Sequence, residues 1–254
     1  MIYKKEITVG EKKKTKVGIK VRTFFVAVWV VISTIVYGIL CLVLRIFGEK
    51  ISRWITVLWC KHVACVSGVR MEVAGLEKLD RKKNYLFIAN HQSYYDIIAL
   101  FVSLPYKLSF VARKNLFSIP FFGWGIRATG HIPIDRSNPA KARKSIEKAC
   151  HMIESQKRSI FGFPEGTRSA TGEVADFKLG LFGLAIKAGI DIVPIAIQGA
   201  RDVMARDRLL VTPGVIHLRV AEPIRASEYG NDQKFQLAGK ARETILSMLD
   251  RTSN

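Results

Sequence analysis

His91 and Asp96 stand in the stretch Asn90-His91-Gln92-Ser93-Tyr94-Tyr95-Asp96, an H-x₄-D spacing. An imidazole held by a carboxylate can act as a general base toward a hydroxyl, worth about 10²–10⁴-fold in rate. The spacing limits how the two can meet. On one ideal helix five residues turn the chain about 140° beyond a full circle, so the side chains would face apart. They meet only if the helix starts after His91, with Gln92 or Ser93 at its entry and Ser93 as its N-cap. The carboxylate then accepts from one ring nitrogen and leaves the other free to take a proton. Taken alone, the pair is equally explained as a His and an Asp that cap a helix and satisfy each other. No G-x-S-x-G elbow is present, so direct transfer to an external hydroxyl is favoured over a covalent acyl-enzyme.

Two further stretches end apolar runs in acids and bases. Phe163-Pro164-Glu165-Gly166-Thr167-Arg168-Ser169 contains Pro and Gly at tight-turn spacing, which exposes Glu165 and Arg168 at a strand end. Gly130-His131-Ile132-Pro133-Ile134-Asp135-Arg136 does the same with Arg136. Two arginines at strand ends suit a phosphate monoester, because a guanidinium donates paired, charge-assisted hydrogen bonds. Surface ion pairs, Asp135 with Arg136 or Glu165 with Arg168, explain either stretch singly. They explain the three stretches together poorly. Cys60, His62 and Cys65 resemble metal ligands only on paper, since those offsets point in different directions on a helix, and no metal is expected.

The elements that must position these groups read as an α/β domain. Short apolar strands over 70–73, 84–89, 108–112, 131–134, 159–163, 191–197 and 215–220 alternate with helices over 96–103, 121–128, 140–155, 180–188 and 233–249. That alternation predicts a mixed, largely parallel sheet flanked by helices. Gly230-Asn231-Asp232 reads as a turn before the last helix.

Ahead of this domain, residues 1–22 form a basic tail and residues 24–44 an uncharged, mostly apolar run. Roughly 20 apolar residues suffice to span a bilayer, so the run is long enough. It exceeds the usual apolar core of a signal peptide and lacks a small-x-small cleavage site, so removal is not expected. Residues 51–69 form a second, broadly apolar segment interrupted by Arg53, Lys61 and His62, which makes a full second span costly. An interfacial or re-entrant helix is the better reading, returning the chain to its starting side. Three parts result: a basic tail at 1–22, a membrane-embedded two-helix element at 23–68, and an α/β domain at 69–254. Forty Lys and Arg against 21 Asp and Glu give a net charge of +19, which selects an anionic partner. No zinc-finger spacing or RNP-like sequence argues for nucleic acid, so anionic membrane lipids are the expected partner. The four cysteines do not make a disulfide scaffold at this length, which fits a reducing compartment.

The ordered set N-H-Q-S-Y-Y-D, G-H-I-P-I-D-R, F-P-E-G-T-R-S and V-P-I-A-I resembles the glycerolipid acyltransferase family, in particular its 1-acylglycerol-3-phosphate acyltransferases, over residues 24–225. One departure stands out: Lys114-Asn115-Leu116 occupies a place where Lys-Glu-Leu is expected. The resemblance implies that His91 is the general base and Asp96 its orienting partner. It implies that Arg136 and Arg168 hold an acceptor phosphate while Glu165, Gly166 and Thr167 shape the acceptor site. The implied reaction moves a fatty acyl chain from acyl-CoA or acyl carrier protein, as co-substrate without cofactor, to a lysophosphatidic acid-like acceptor. Backbone N–H groups near Gly166 are the expected oxyanion donors. The expected location is a membrane with the catalytic domain on its cytoplasmic face, as in a bacterial inner membrane. Rival readings are another acceptor within the same family, or a hydrolase that uses His91 and Asp96 on water.

Overall fold

The computed structural model describes residues 9–134 and 139–250. Helix α1, Val9–Leu44, is 36 residues long, about 54 Å at 1.5 Å per residue. It starts well inside the basic stretch, because Lys, Arg and Glu are good helix formers and nothing between Lys12 and Arg22 breaks the helix. The basic segment and the apolar run are therefore one continuous element. A short turn at Arg45–Phe47 and Gly48, at φ 106°, reverse the chain into α2, Glu49–Val66.

The two helices form an antiparallel hairpin. Near its tip Ser52 Oγ donates to the Cys41 carbonyl at 3.4 Å. Midway, Trp29 Nε1 donates to His62 Nε2 at 2.7 Å and Tyr37 OH lies 3.2 Å from His62 Nδ1. At its base Arg22 Nη2 reaches the Ser67 carbonyl at 2.6 Å. His62 is thus engaged by α1, on a different side of α2 from the buried Cys60. Within the described residues, Val17–Phe47 is the one helical stretch long and apolar enough to cross a membrane; its most apolar window has a mean hydropathy of 2.6 and is 22% buried. Phe24, Phe25, Ile32, Ile46, Phe47 and Trp54 leave a broad apolar surface exposed on the hairpin. A contiguous apolar surface of this kind marks a contact with lipid or with another protein.

The remaining helices and strands are β1 (Val69–Ala74), β2 (Leu86–Ala89), α3 (Tyr95–Ser103), β3 (Leu108–Arg113), α4 (Phe122–Ala128), β4 (Ile132–Ile134), α5 (Pro139–Gln156), β5 (Ser159–Gly162), α6 (Gly180–Ala188), β6 (Ile192–Gln198), α7 (Ala200–Val203), β7 (Gly214–Val220) and α8 (Lys234–Asp250). The strand order is β1-β7-β6-β2-β5-β3-β4, with every neighbouring pair parallel except β6 and β7. The mixed, largely parallel sheet expected from the alternation is what forms.

Both faces of the sheet are covered. Alternate residues of β2 divide between two cores: Phe87 and Ala89 face α3 and the hairpin, Leu86 and Ile88 face α5, α6 and α8. A strand buried on both faces has to read as an unbroken apolar run, and Tyr85 to Ala89 does. Because β2 and β5 are adjacent and parallel, with Ile88 opposite Gly162, their carboxyl ends lie side by side. His91 follows one end and Phe163 the other. The sheet itself thereby brings together motifs separated by about seventy residues, at the edge where open α/β sheets place their ligands.

Candidate active site

Past the end of β2 the chain is tied down at every step. Asn90 Nδ2 donates to the Ile197 carbonyl at 2.9 Å and its Oδ1 accepts the Ile197 N–H at 2.8 Å, extending the sheet onto β6 through a side chain. His91 Nδ1 lies 2.8 Å from Asp96 Oδ2. A carboxylate only accepts, so Nδ1 carries the proton and Nε2 is left as the basic nitrogen. The same Asp96 oxygen accepts the backbone N–H groups of Gln92 at 2.7 Å and Ser93 at 2.8 Å. Asp96 thus closes the turn that lets it meet His91.

The helix begins at Tyr95, with Tyr94 in the N-cap position and no side-chain cap there. Ser93, expected as the cap, accepts the Tyr95 N–H through its Oγ at 3.2 Å, and the same hydroxyl donates to the Met204 carbonyl at 2.7 Å. The N–H groups that Asp96 accepts lie ahead of the helix, and its carboxylate, in the first turn, gains from the helix dipole. The side chain of His91 is 13% exposed and that of Asp96 1%, so the base is reachable and its partner is sealed from water.

The F-P-E-G-T-R segment braces the same imidazole. The Phe163 ring stacks on His91, centroids 3.9 Å apart and planes 10° from parallel. Glu165 turns inward: its Oε1 accepts the His91 N–H at 2.7 Å and its Oε2 the Ala175 N–H at 3.1 Å. Burial pushes the Glu165 carboxyl above its usual range, opposed by those two N–H bonds and by His91. The His91 carbonyl accepts the Ser169 N–H at 2.7 Å, and Gln92 Nε2 donates to the Gly172 carbonyl at 2.6 Å. Sequence reasoning did not foresee Phe163 or Asn90 as supports; their signal is adjacency to the motif residues at the ends of two neighbouring strands.

Gly166 sits at φ +77°, in the left-handed region, and its N–H donates to the Phe163 carbonyl at 3.0 Å. The oxyanion expectation concerns backbone N–H groups near Gly166; the N–H of Gly166 itself is spent on this turn. A Cβ on Gly166 would stand 2.8 Å from Lys178 Nζ, so the ammonium of Lys178 lies directly over this turn. Thr167 is exposed. The Arg168 guanidinium lies 3.8 Å from the centre of the Tyr94 ring, and its buried Nη1 has no acceptor. Tyr94 follows His91 by three residues, so the guanidinium packs against the loop that carries the imidazole. Arg136 lies outside the described residues. Asn115 is in a short helical turn, Lys114–Ser118, that follows β3. Within the described residues no three His, Cys, Asp or Glu side chains cluster as metal ligands.

A cavity of about 490 Å³ opens beside this rim, between the N-terminal hairpin, α3 and α4. Tyr94, Ile98 and Phe101 of the α3 region, Val30 and Gly38 of α1, and Ile126 of α4 are among its walls. Its lining is almost wholly apolar, and the size is that of a ligand site. Close approach of α1 to α4 makes its floor: a Cβ on Gly38 would lie 2.7 Å from the Phe121 carbonyl oxygen.

Comparison with known proteins agrees with these features. The family model described as Acyltransferase matches residues 70–198. The chain is 32% identical over 218 residues to the 1-acyl-sn-glycerol-3-phosphate acyltransferase of Saccharomyces cerevisiae, covering 84% of this chain and 72% of that one. It is 33% identical over 184 residues to the enzyme of the same name from Escherichia coli, covering 72% and 74%. In fold it is similar to the crystal structure of the 1-acyl-sn-glycerophosphate acyltransferase of Thermotoga maritima, with a TM-score of 0.77 at 24% identity over 95% of this chain and 97% of that one. With the matched region reaching from the first sheet strand to the end of β6, and with relatives in yeast and bacteria, the chain belongs to the acyltransferase family, alongside the 1-acyl-sn-glycerol-3-phosphate acyltransferases.

Proposed function

We propose that this protein transfers a fatty acyl chain from an acyl-CoA or acyl carrier protein thioester to the free sn-2 hydroxyl of 1-acyl-sn-glycerol-3-phosphate, giving phosphatidic acid. The observation that carries the reading is the His91–Asp96 contact at 2.8 Å, made at the end of a sheet strand beside an apolar cavity and an unpaired arginine. His91 Nε2 takes the hydroxyl proton as the glycerol oxygen attacks the thioester carbonyl. Asp96 fixes the ring and favours the imidazolium that results. Collapse of the tetrahedral intermediate breaks the carbon–sulfur bond, and the leaving thiolate takes the proton back from His91. Phe163 and Glu165 hold the imidazole in place rather than touch the substrate. Arg168, with Arg136, receives the acceptor phosphate, and the unpaired Nη1 is what supports that role for Arg168. The acyl chain lies in the cavity against the hairpin. No cofactor takes part.

The hairpin serves as the membrane element. Its α1 touches the catalytic domain from Thr23, whose Oγ1 accepts the Val211 N–H at 3.0 Å, down to Gly38 on α4. A helix held by the domain along that length cannot stand free as a perpendicular span, so it lies embedded from one side with α2. Exposed Phe24, Phe25 and Trp54 then face lipid, and the basic start of α1 meets anionic headgroups on the cytoplasmic face. The test is one assay. Purified protein with an acyl thioester and a panel of lyso acceptors should esterify the acceptor bearing a terminal phosphate monoester. Equal transfer to acceptors lacking it, or fatty acid released with no acceptor present, would overturn the assignment.

A further inference from the structure

The segment that follows α7 is bonded to both motif loops. Ser93, two residues past His91, donates from Oγ to the Met204 carbonyl at 2.7 Å. Arg206, two residues past Met204, donates from Nη1 to the Arg168 carbonyl at 2.6 Å. Between them the Arg168 guanidinium lies 3.8 Å from the ring centre of Tyr94, the neighbour of Ser93. The contacts close a ring that runs Ser93, Tyr94, Arg168, Arg206, Met204 and back to Ser93. Ser93 and Ala205 are buried, so the segment between the two bonds is packed rather than free. One step further along the same loop, Arg201 of α7 donates to the Ala170 carbonyl at 2.7 Å and to the Thr171 carbonyl.

Residues 167–179 contain no helix or strand, so their backbone groups depend on side chains for partners. Arg206 is exposed and forms no ion pair among the described residues, so a surface salt bridge does not account for its place. Its bond has a specific effect on Arg168. Tyr94 holds the head of that side chain and Arg206 holds its root. Ordering a rotamer-rich side chain at the moment of binding costs affinity, and a side chain fixed at both ends beforehand avoids that cost.

Resting on the reading of Arg168 as a holder of the acceptor phosphate, we propose that Arg206 is a positioning residue for Arg168. It touches no substrate; it keeps the Arg168 guanidinium in register with the His91 loop through the Met204–Ser93 bond.

The test is a double-mutant cycle on the purified full chain, with acyl-CoA and 1-acyl-sn-glycerol-3-phosphate. Arg206→Met keeps the length of the stem and removes the donors. It should raise acceptor KM by about 2- to 13-fold, the span of one hydrogen bond, with kcat, acyl-CoA KM and thermal unfolding unchanged. Added to Arg168→Ala, it should raise acceptor KM no further. Unchanged acceptor KM in the single variant overturns the proposal. A fall in kcat also overturns it, because the same loop returns the Ser169 N–H to the His91 carbonyl and its collapse would loosen the base. An undiminished effect in the Arg168→Ala background overturns it as well, since Arg206 would then act without Arg168. Should Arg206→Met fail to fold, Arg206→Gln is measured in the same cycle. If Arg168→Ala raises acceptor KM and Arg206→Met does not, this proposal falls alone. If Arg168→Ala itself leaves acceptor KM unchanged, the phosphate reading of Arg168 falls with it.

Discussion

The polar rim and the apolar cavity lie against each other and are built on opposite rules. At the rim polar groups are knitted together: the Asp96 Oδ2 takes three donors, Glu165 ties two backbone N–H groups, and Asn90 bonds Ile197 twice, with Asp96 Oδ1 and Arg168 Nη1 left without a partner. In the cavity almost nothing is polar, and Trp59 and His131 are left without acceptors. The rim holds one geometry for proton transfer, which needs heavy atoms within hydrogen-bond reach. The cavity offers space, which a flexible chain fills by area rather than by direction. Substitutions at the rim should therefore change rate, and substitutions in the cavity should change which chain is used.

The sharpest break in that contrast is Asp96→Asn. It preserves shape yet removes the charge that favours the imidazolium, and it should lower kcat by about 10²–10⁴-fold while acceptor KM changes little. Michaelis kinetics on the purified variant checks it. Arg168→Ala should separate binding from chemistry, raising acceptor KM by about 10- to 150-fold, the range for a hydrogen bond to a charged group, with kcat nearly kept. Gly38→Val moves to the cavity. Its Cβ would press on the Phe121 carbonyl, so α1 has to shift from α4 at a cost of about 1–3 kcal/mol in stability. Thermal unfolding in detergent reads that cost, and a competition between short and long acyl chains reads the altered space.

The fourth variant, His131→Phe, addresses stability against pH. Burial, aided by the Arg158 charge, holds the His131 pKa down to about 3. In the unfolded chain the group titrates near 6.5, so between those values the unfolded state binds a proton that the folded state does not. Stability contributed by neutral His131 is therefore present above about 6.5 and is lost as pH falls toward 3. His131→Phe should lose about 2 kcal/mol less than the unaltered protein on going from pH 7 to pH 5, read from denaturant unfolding at the two values.

What the sequence could convey follows the same division. Within the α/β domain, strand and helix positions other than α7 were legible to within one or two residues, because β2, β5 and β6 are short apolar runs and α5 and α8 carry helical periodicity, both local signals. Helix α1 starts fifteen residues before the apolar run that was read. The meeting of His91 with Asp96 was legible too, since the spacing allows it only across a helix start. The second bond of Ser93 was not: its hydroxyl also donates to the Met204 carbonyl, a contact over a hundred residues away. Which N–H group near Gly166 could serve an oxyanion was not legible, because only the fold shows that the Gly166 N–H turns inward to Phe163. Stacking of Phe163 on His91 depends on the pairing of β2 with β5, and the cavity depends on α1 packing on α4. Neither is encoded at short range. His131 stands in a motif read for its arginine, and only the bond from the Phe110 N–H gives its ring a direction.

The central claim is that His91 Nε2 removes the acceptor proton. Single-turnover acyl transfer by purified His91→Ala, with saturating acyl-CoA and 1-acyl-sn-glycerol-3-phosphate, tests it most directly. A fall in the transfer rate of about 10²–10⁴-fold, with acceptor binding and thermal unfolding close to those of the unaltered protein, is the expected result. Transfer at the unaltered rate by the folded variant would contradict it.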